Sequence, residues 1–370
     1  MAISFIVTIR DVAPTITDCL ADLAAVARAR DEVILVDDGS QDGTVDAATA
    51  CLADPGFAEG VAVNPIWLGT RTPGGIGIRA NVGLSAASRE TVVFVDGDGR
   101  IQHDGFQRAR AHWVMHPADI LLTGYQELDP SGAATRPAAE ARCWNQLDRA
   151  ASLARLRDQA LAFAAAPWRV FHRRTFLERH GLRFSETDAP LAEVPFHWAT
   201  CLAADSIGFL DTVTCHRPVP PEDSLDPAAV FTRFAAILEL LPADELALQE
   251  TAACWLLDRM EAQAGHLPAT GLHAYATAGA TALAAIADPV WARLAARHGD
   301  RPIWTEALRL RAGDIWGQLD AWDRAALDRR IARIEARAEG SERTLERAGR
   351  DLRALAASRA FAAIQQLERG

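Results

Sequence analysis

The chain has 370 residues, 49% of them hydrophobic and 24% charged, a composition that excludes a disordered or fibrous protein and predicts two domains. It contains no lysine, so all 38 basic residues are arginine and chemistry needing a lysine nucleophile or Schiff base is excluded. The formal charge of −11 argues against general nucleic-acid binding.

In chain order, Ile3 to Ile9 is a short apolar, β-branched run of the kind that forms a buried parallel strand. A helical pattern follows from Thr15 to about Arg30. A second strand, Val33 to Val36, ends in Asp37-Asp38-Gly39-Ser40, and a helix runs from Gly43 to Leu52. Next come a weaker strand from Val61 to Trp67, a glycine-rich loop, a helix from about Gly77 to Ala87 and the strand Thr91 to Val95. Strand and helix alternate, so the fold class is α/β, with a mostly parallel sheet covered by helices. In such sheets ligands bind at the carboxyl ends of the strands, where the acidic and glycine-rich clusters fall.

From Pro218 to Pro227 the chain turns rich in proline and acid, which marks a linker between a domain at 1–220 and an all-helical one at 225–370. Late in the helical part, Ile331, Ile334, Leu345, Leu352, Leu355 and Ile364 recur among Arg and Glu. The stretch Asp320 to Arg369 reads either as a dimer arm or as a solvated face packed on its own domain. The six cysteines show neither a C-x-x-C pair nor regular spacing, so free thiols are expected. No apolar run reaches the length of a membrane span, and the expected location is cytoplasmic, with peripheral membrane contact open.

Three clusters carry chemistry. In Phe94-Val95-Asp96-Gly97-Asp98, two carboxylates one residue apart at a strand end repel each other and lose solvation. A divalent cation resolves that conflict, and hard oxygen ligands suit Mg²⁺ or Mn²⁺; a polar turn is the plainer alternative. At the second strand end, an Asp can accept from a ribose hydroxyl or a base N–H, or can simply cap the turn. In the loop Pro73-Gly74-Gly75-Ile76-Gly77, glycines allow close approach to phosphate, and the helix behind it carries Arg79 and Asn81.

Together these clusters resemble the nucleotide-binding half of family 2 glycosyltransferases, which have the GT-A fold. The likeness covers most of residues 3–217. It begins with Ser4-Phe5-Ile6-Val7-Thr8 and runs through Val36 to Ser40, Gly75 to Leu84 and the D-x-D strand. It ends with Trp168 to Leu177 and Gly181-Leu182-Arg183-Phe184.

The resemblance implies an inverting, non-processive enzyme that takes one sugar from a nucleotide-diphosphate donor to a glycan or lipid-linked acceptor in cell-surface polysaccharide biosynthesis. Thr8, Asp37, Asp38, Gly75, Arg79, Asn81, Asp96 and Arg217 are then donor contacts, and Asp96, Asp98 and His216 the metal candidates. The family places an acidic pair before an apolar-Pro-Phe segment. Here Ala192-Glu193-Val194-Pro195-Phe196 retains Glu193 at the base position and departs at Ala192, with Glu186 and Asp188 as alternative bases. Residues 126–166, with Trp144, and Trp168 beyond them, are the candidate acceptor face. The competing classes are a nucleotidyltransferase, whose glycine-rich opening is missing after Thr8, and a degenerate module that only binds.

Overall fold

The computed structural model describes residues 1–356 apart from 55–56, 58, 74, 130–133, 139, 187–191, 219–225, 264–266 and 268–269. Asp188 and most of the expected linker lie outside the described residues.

The first strand, β1 (Ile3–Ile9), is buried along its whole length and pairs in parallel with β2 (Glu32–Asp37) on one side and β4 (Thr91–Asp96) on the other. Beyond β2 lies β3 (Ala62–Trp67), also parallel. Helices α1 (Ile16–Val26), α2 (Thr44–Leu52) and α3 (Gly75–Ala86) connect these strands. All match the sequence pattern to within a few residues. Alternation along the strands sorts the side chains. Ile3, Phe5, Val7, Val33, Leu35, Val93 and Val95 form one cluster with α1, α2 and α4 (His103–Met115). The even positions of β1 and β4 turn to the opposite face, where α3 and α8 (Glu193–Ala203) lie.

After β4 the sheet changes character. A two-residue strand β5 (Arg100–Ile101) leads to α4, and then come β6 (Ile120–Leu128), the short β7 (Thr135–Pro137), β8 (Val170–Arg173) and β9 (Ile207–Pro218). The order is β3-β2-β1-β4-β8-β6-β9-β5, with β7 on β6. Strand β8 is antiparallel to both β4 and β6, whereas β9 runs parallel to β6. The β6–β9 register slips twice around Gly124: Thr123 pairs with Leu210, Gly124 with Val213 and Tyr125 with Cys215. Helices α5 (Ala141–Asn145), α6 (Leu153–Leu161) and α7 (Arg174–Arg179) complete this half.

The helical part comprises α9 (Ala229–Leu240), α10 (Leu246–Gln263), α11 (Leu272–Ala284), α12 (Asp288–His298), α13 (Pro302–Arg311) and α14 (Ile315–Ala356). The chain divides into two compact units, Met1–Gln263 with Ala284–Trp304, and Ala264–Leu283 with Thr305–Gly370. This differs from a boundary near residue 220. Phe231, Phe234 and Ile237 of α9 are buried as that helix packs on α8, and α10 packs on α9 and α6, which joins these helices to the sheet unit. Among the described residues no helix is long and apolar enough to cross a membrane.

Candidate active site

At the carboxyl ends of β1 and β4 the even-numbered face opens into a cavity of about 140 Å³. Thr8, Arg10, Ile76, Arg79, Asp96, Asp98, Glu193 and Arg217 line it. The strand period explains the company: Thr8 and Arg10 are two apart, as are Asp96 and Asp98, and the β1–β4 register sets Thr8 beside Asp96. The Thr8 hydroxyl donates to Asp96 Oδ1 at 3.1 Å. Arg217 Nη2 lies 3.2 Å from Asp96 Oδ2, and its guanidinium sits over the Trp168 ring, 5.1 Å from the centroid.

Between the two aspartates, Gly97 has no room for a side chain, since a Cβ there would meet Ile9 Cγ2 at 2.5 Å. The turn therefore holds both carboxylates against β1. Burial, and then the Asp96 charge, push Asp98 up to about 6. Two carboxylates held this close at the cavity wall form a donor set that fits a hard divalent cation. Mg²⁺ and Mn²⁺ take one or two protein carboxylates and fill their remaining positions with water and phosphate oxygens. Among the described residues no cluster of three His, Cys, Asp or Glu side chains could hold a metal alone.

Glu193 opens α8, and its placement follows from the packing behind it. Phe196, three residues on, stacks on Phe184 at 3.9 Å and meets Phe94 of β4 edge-on. The anchored turn presents Glu193 to the cavity, where Oε2 has no hydrogen-bond partner. Burial is the main cause holding its carboxyl above the usual range, and Asp96 adds to it. Arg79, from α3, is likewise in place, with Nε and Nη1 lacking hydrogen-bond partners. Burial lowers its pKa from an ordinary value so high that it stays a cation.

Other sequence candidates have different duties. Asp38 is fully buried below the cavity: Oδ1 accepts the Thr72 N–H at 2.8 Å, while Oδ2 lies 3.1 Å from Arg10 Nη1 and 3.6 Å from Arg79 Nη1. It thus orients two cavity arginines. Asp37 is occupied by its own turn, accepting the N–H groups of Gly39 and Ser40. Gly75 starts α3 at φ +53°. Asn81 points away from the cavity; its amide accepts from Phe184 N and donates to Phe184 O and Glu186 Oε1. Glu186 is an exposed residue engaged by that bond and does not line the cavity, whereas Glu193 does; Asp188, the other alternative, lies outside the described residues.

His216 is not brought to the aspartates. Neighbouring strand residues face opposite ways, so with Arg217 turned to Asp96, His216 turns toward Arg100 and Asp22, and burial lowers its pKa. Trp144, half-buried, packs edge-on against the buried Phe163 at 4.7 Å. Arg10 escaped the sequence reading, although its spacing from Thr8 carried the signal.

Residues 4–179 match the family model described as Glycosyl transferase family 2. The uncharacterized glycosyltransferase EpsJ of Bacillus subtilis (strain 168) is 26% identical over 217 residues, 56% of this chain and 58% of that protein. The chain thus spans less than two thirds of the length of that curated relative. Among solved structures, S. aureus TarS 1-349 in complex with UDP-GlcNAc aligns with a TM-score of 0.68 at 20% identity, over 88% of this chain and 92% of that one. TarS 1-349 in complex with UDP gives 0.65 at 20% identity with the same coverage. The matched sequence and the shared sheet and helices meet in one conclusion: the chain has a GT-A-like fold and is similar to family 2 glycosyltransferases over residues 4–179, just under half of its length.

Proposed function

We propose that the protein moves a single sugar, with inversion, from a nucleoside-diphosphate sugar to a hydroxyl on a glycan or lipid-linked acceptor. The observation that carries this reading is the meeting, in one cavity, of an unpartnered Glu193 oxygen with Asp96, Asp98, Arg79 and Arg217. Glu193 takes the acceptor proton as the acceptor oxygen attacks the anomeric carbon, on the face opposite the diphosphate. A base on that side gives inversion. The raised pKa suits the role, because a stronger base accepts the proton more readily.

Arg79 brings open donors to the diphosphate, and Arg217, steadied on Trp168, adds a second cation. Asp96 and Asp98 would hold Mn²⁺ or Mg²⁺, which supplies charge neutralisation to the departing diphosphate. Thr8 holds Asp96 in place.

The nucleotides of the TarS crystals, UDP and UDP-GlcNAc, set the first probes. In a thermal-shift series with UDP, GDP, CDP and dTDP, with and without Mn²⁺, one nucleotide raises the melting temperature in a metal-dependent way. The rise is lost in Asp98→Ala. No shift with any nucleotide overturns the donor assignment. Metal-dependent binding without donor turnover returns the chain to a binding module.

A further inference from the structure

We infer that α14 pairs with the same helix of a second copy as a parallel, two-stranded, in-register coiled coil starting at Leu327. The helix has 42 residues. Its first turns are held within their own unit: Trp322 Nε1 donates to Glu306 Oε2 at 2.9 Å and its ring meets Tyr275 edge-on. From Ala326 to Ala354, all residues with described side chains are exposed except Gly349. A lone helix is marginal in water, and Gly340 and Gly349 weaken this one further.

The exposed apolar side chains are not scattered. Leu327, Ile331, Ile334, Leu345 and Leu352, exposed by between 44% and 73%, fall at intervals of four and three once Ala338 and Ala348 are counted, apart from one step of seven from Ala338 to Leu345, where the sequence has Ser341 at the intervening d position. That is a heptad seam, with Ile331, Ala338, Leu345 and Leu352 at a and Leu327, Ile334 and Ala348 at d. A stripe of this width matches a second helix rather than a broad domain face.

Charge selects the partner and its direction. The g position Arg330 lies five residues before the e position Glu335, so in a parallel pair each arginine meets the glutamate of the other chain. The same offset joins Arg337 to position 342, a glutamate in the sequence. An antiparallel pair would set g against g and e against e, arginine facing arginine. The seam also has a defined start. One turn before Leu327 the a position is Arg324, and Asp323 would oppose Asp328.

Sedimentation equilibrium on the full chain is the test. The expected mass is twice 39.9 kDa at tens of micromolar protein, falling to 39.9 kDa in Leu345→Asp. That substitution is at a surface position, so the main melting transition should be unchanged. Arg330→Glu should weaken dimerisation by about fivefold or more, and Arg330→Glu with Glu335→Arg should restore it. A monomeric wild type overturns the inference, a mass of three chains overturns the two-stranded pairing, and failure of the double variant to recover overturns the parallel register.

Discussion

Glu193, the proposed base, shows how a single residue is placed by neighbours further along its own helix and on the adjoining strand. Its carboxyl is buried at a helix start because Phe196 is wedged between Phe184 and Phe94. Removing its basicity in Glu193→Gln should lower the turnover rate by about 10²- to 10⁴-fold while leaving nucleotide binding intact, as single-turnover kinetics beside a binding titration will show. Because only the ionised form is a base, activity should rise with pH through a midpoint above the ordinary glutamate value of 4.5. An acid limb at or below that value would contradict the burial argument. A structural pair offers a contrasting case. Arg169, 1% exposed, is held by Glu140 and donates to Thr123 O at 3.0 Å and Ala164 O at 2.9 Å. Glu140→Ala strands that buried cation and should cost about 3–5 kcal/mol in a urea titration. At this scale the sequence was informative where residue type and strand end coincide, as for Asp96, Asp98 and Thr8. It could not show that the polar atoms of Asp37 bond their own turn or that those of Asn81 reach Phe184 and Glu186 far along the chain, since both depend on the folded backbone.

Among elements, β1, β2 and β4 were legible because strands buried on both faces are apolar runs with little competing signal, while the exposed β3 gave the weaker pattern. The short strands β5 and β7 offer too few residues for a period to emerge, and the antiparallel insertion of β8 between β4 and β6 depends on long-range pairing. The helical half was legible as helix but not as packing, since apolar faces do not name their partners. The α13–α14 junction carries its own prediction. Burial raises Glu306 from 4.5 to about 7, outweighing the Trp322 hydrogen bond that lowers it. The folded state therefore favours the neutral acid. Stability from this group is full below pH 4.5 and is lost as pH rises to about 7, on the order of 3 kcal/mol in all at about 1.4 kcal/mol per unit. Melting curves of the full chain between pH 4.5 and 8, compared with Glu306→Gln, should show that dependence flattened in the variant. An equal slope in both would place the titration elsewhere.

On the scale of the whole molecule, the sheet joins two strand systems: β3-β2-β1-β4 in parallel, and β6 with β9 in parallel beyond the reversed β8. The first supplies Thr8, Asp96 and Asp98, and the second supplies Arg217. Sequence order alone could not show that the second system delivers an arginine rather than its neighbour. The slips in the β6–β9 register decide it. Ile120 pairs with Ile207 but Glu127 pairs with Arg217, so β9 spends three more residues than β6 over the same distance. Three is odd, and a side chain reverses face at every step. Had β9 run in unbroken register from Ile207, Thr214 would stand opposite Glu127, and Arg217 would lie three residues further along and on the other face. The irregularity thus acts as a parity switch in the backbone: it gives the cavity the permanent charge of an arginine, where a regular strand would have set an uncharged threonine at the same level.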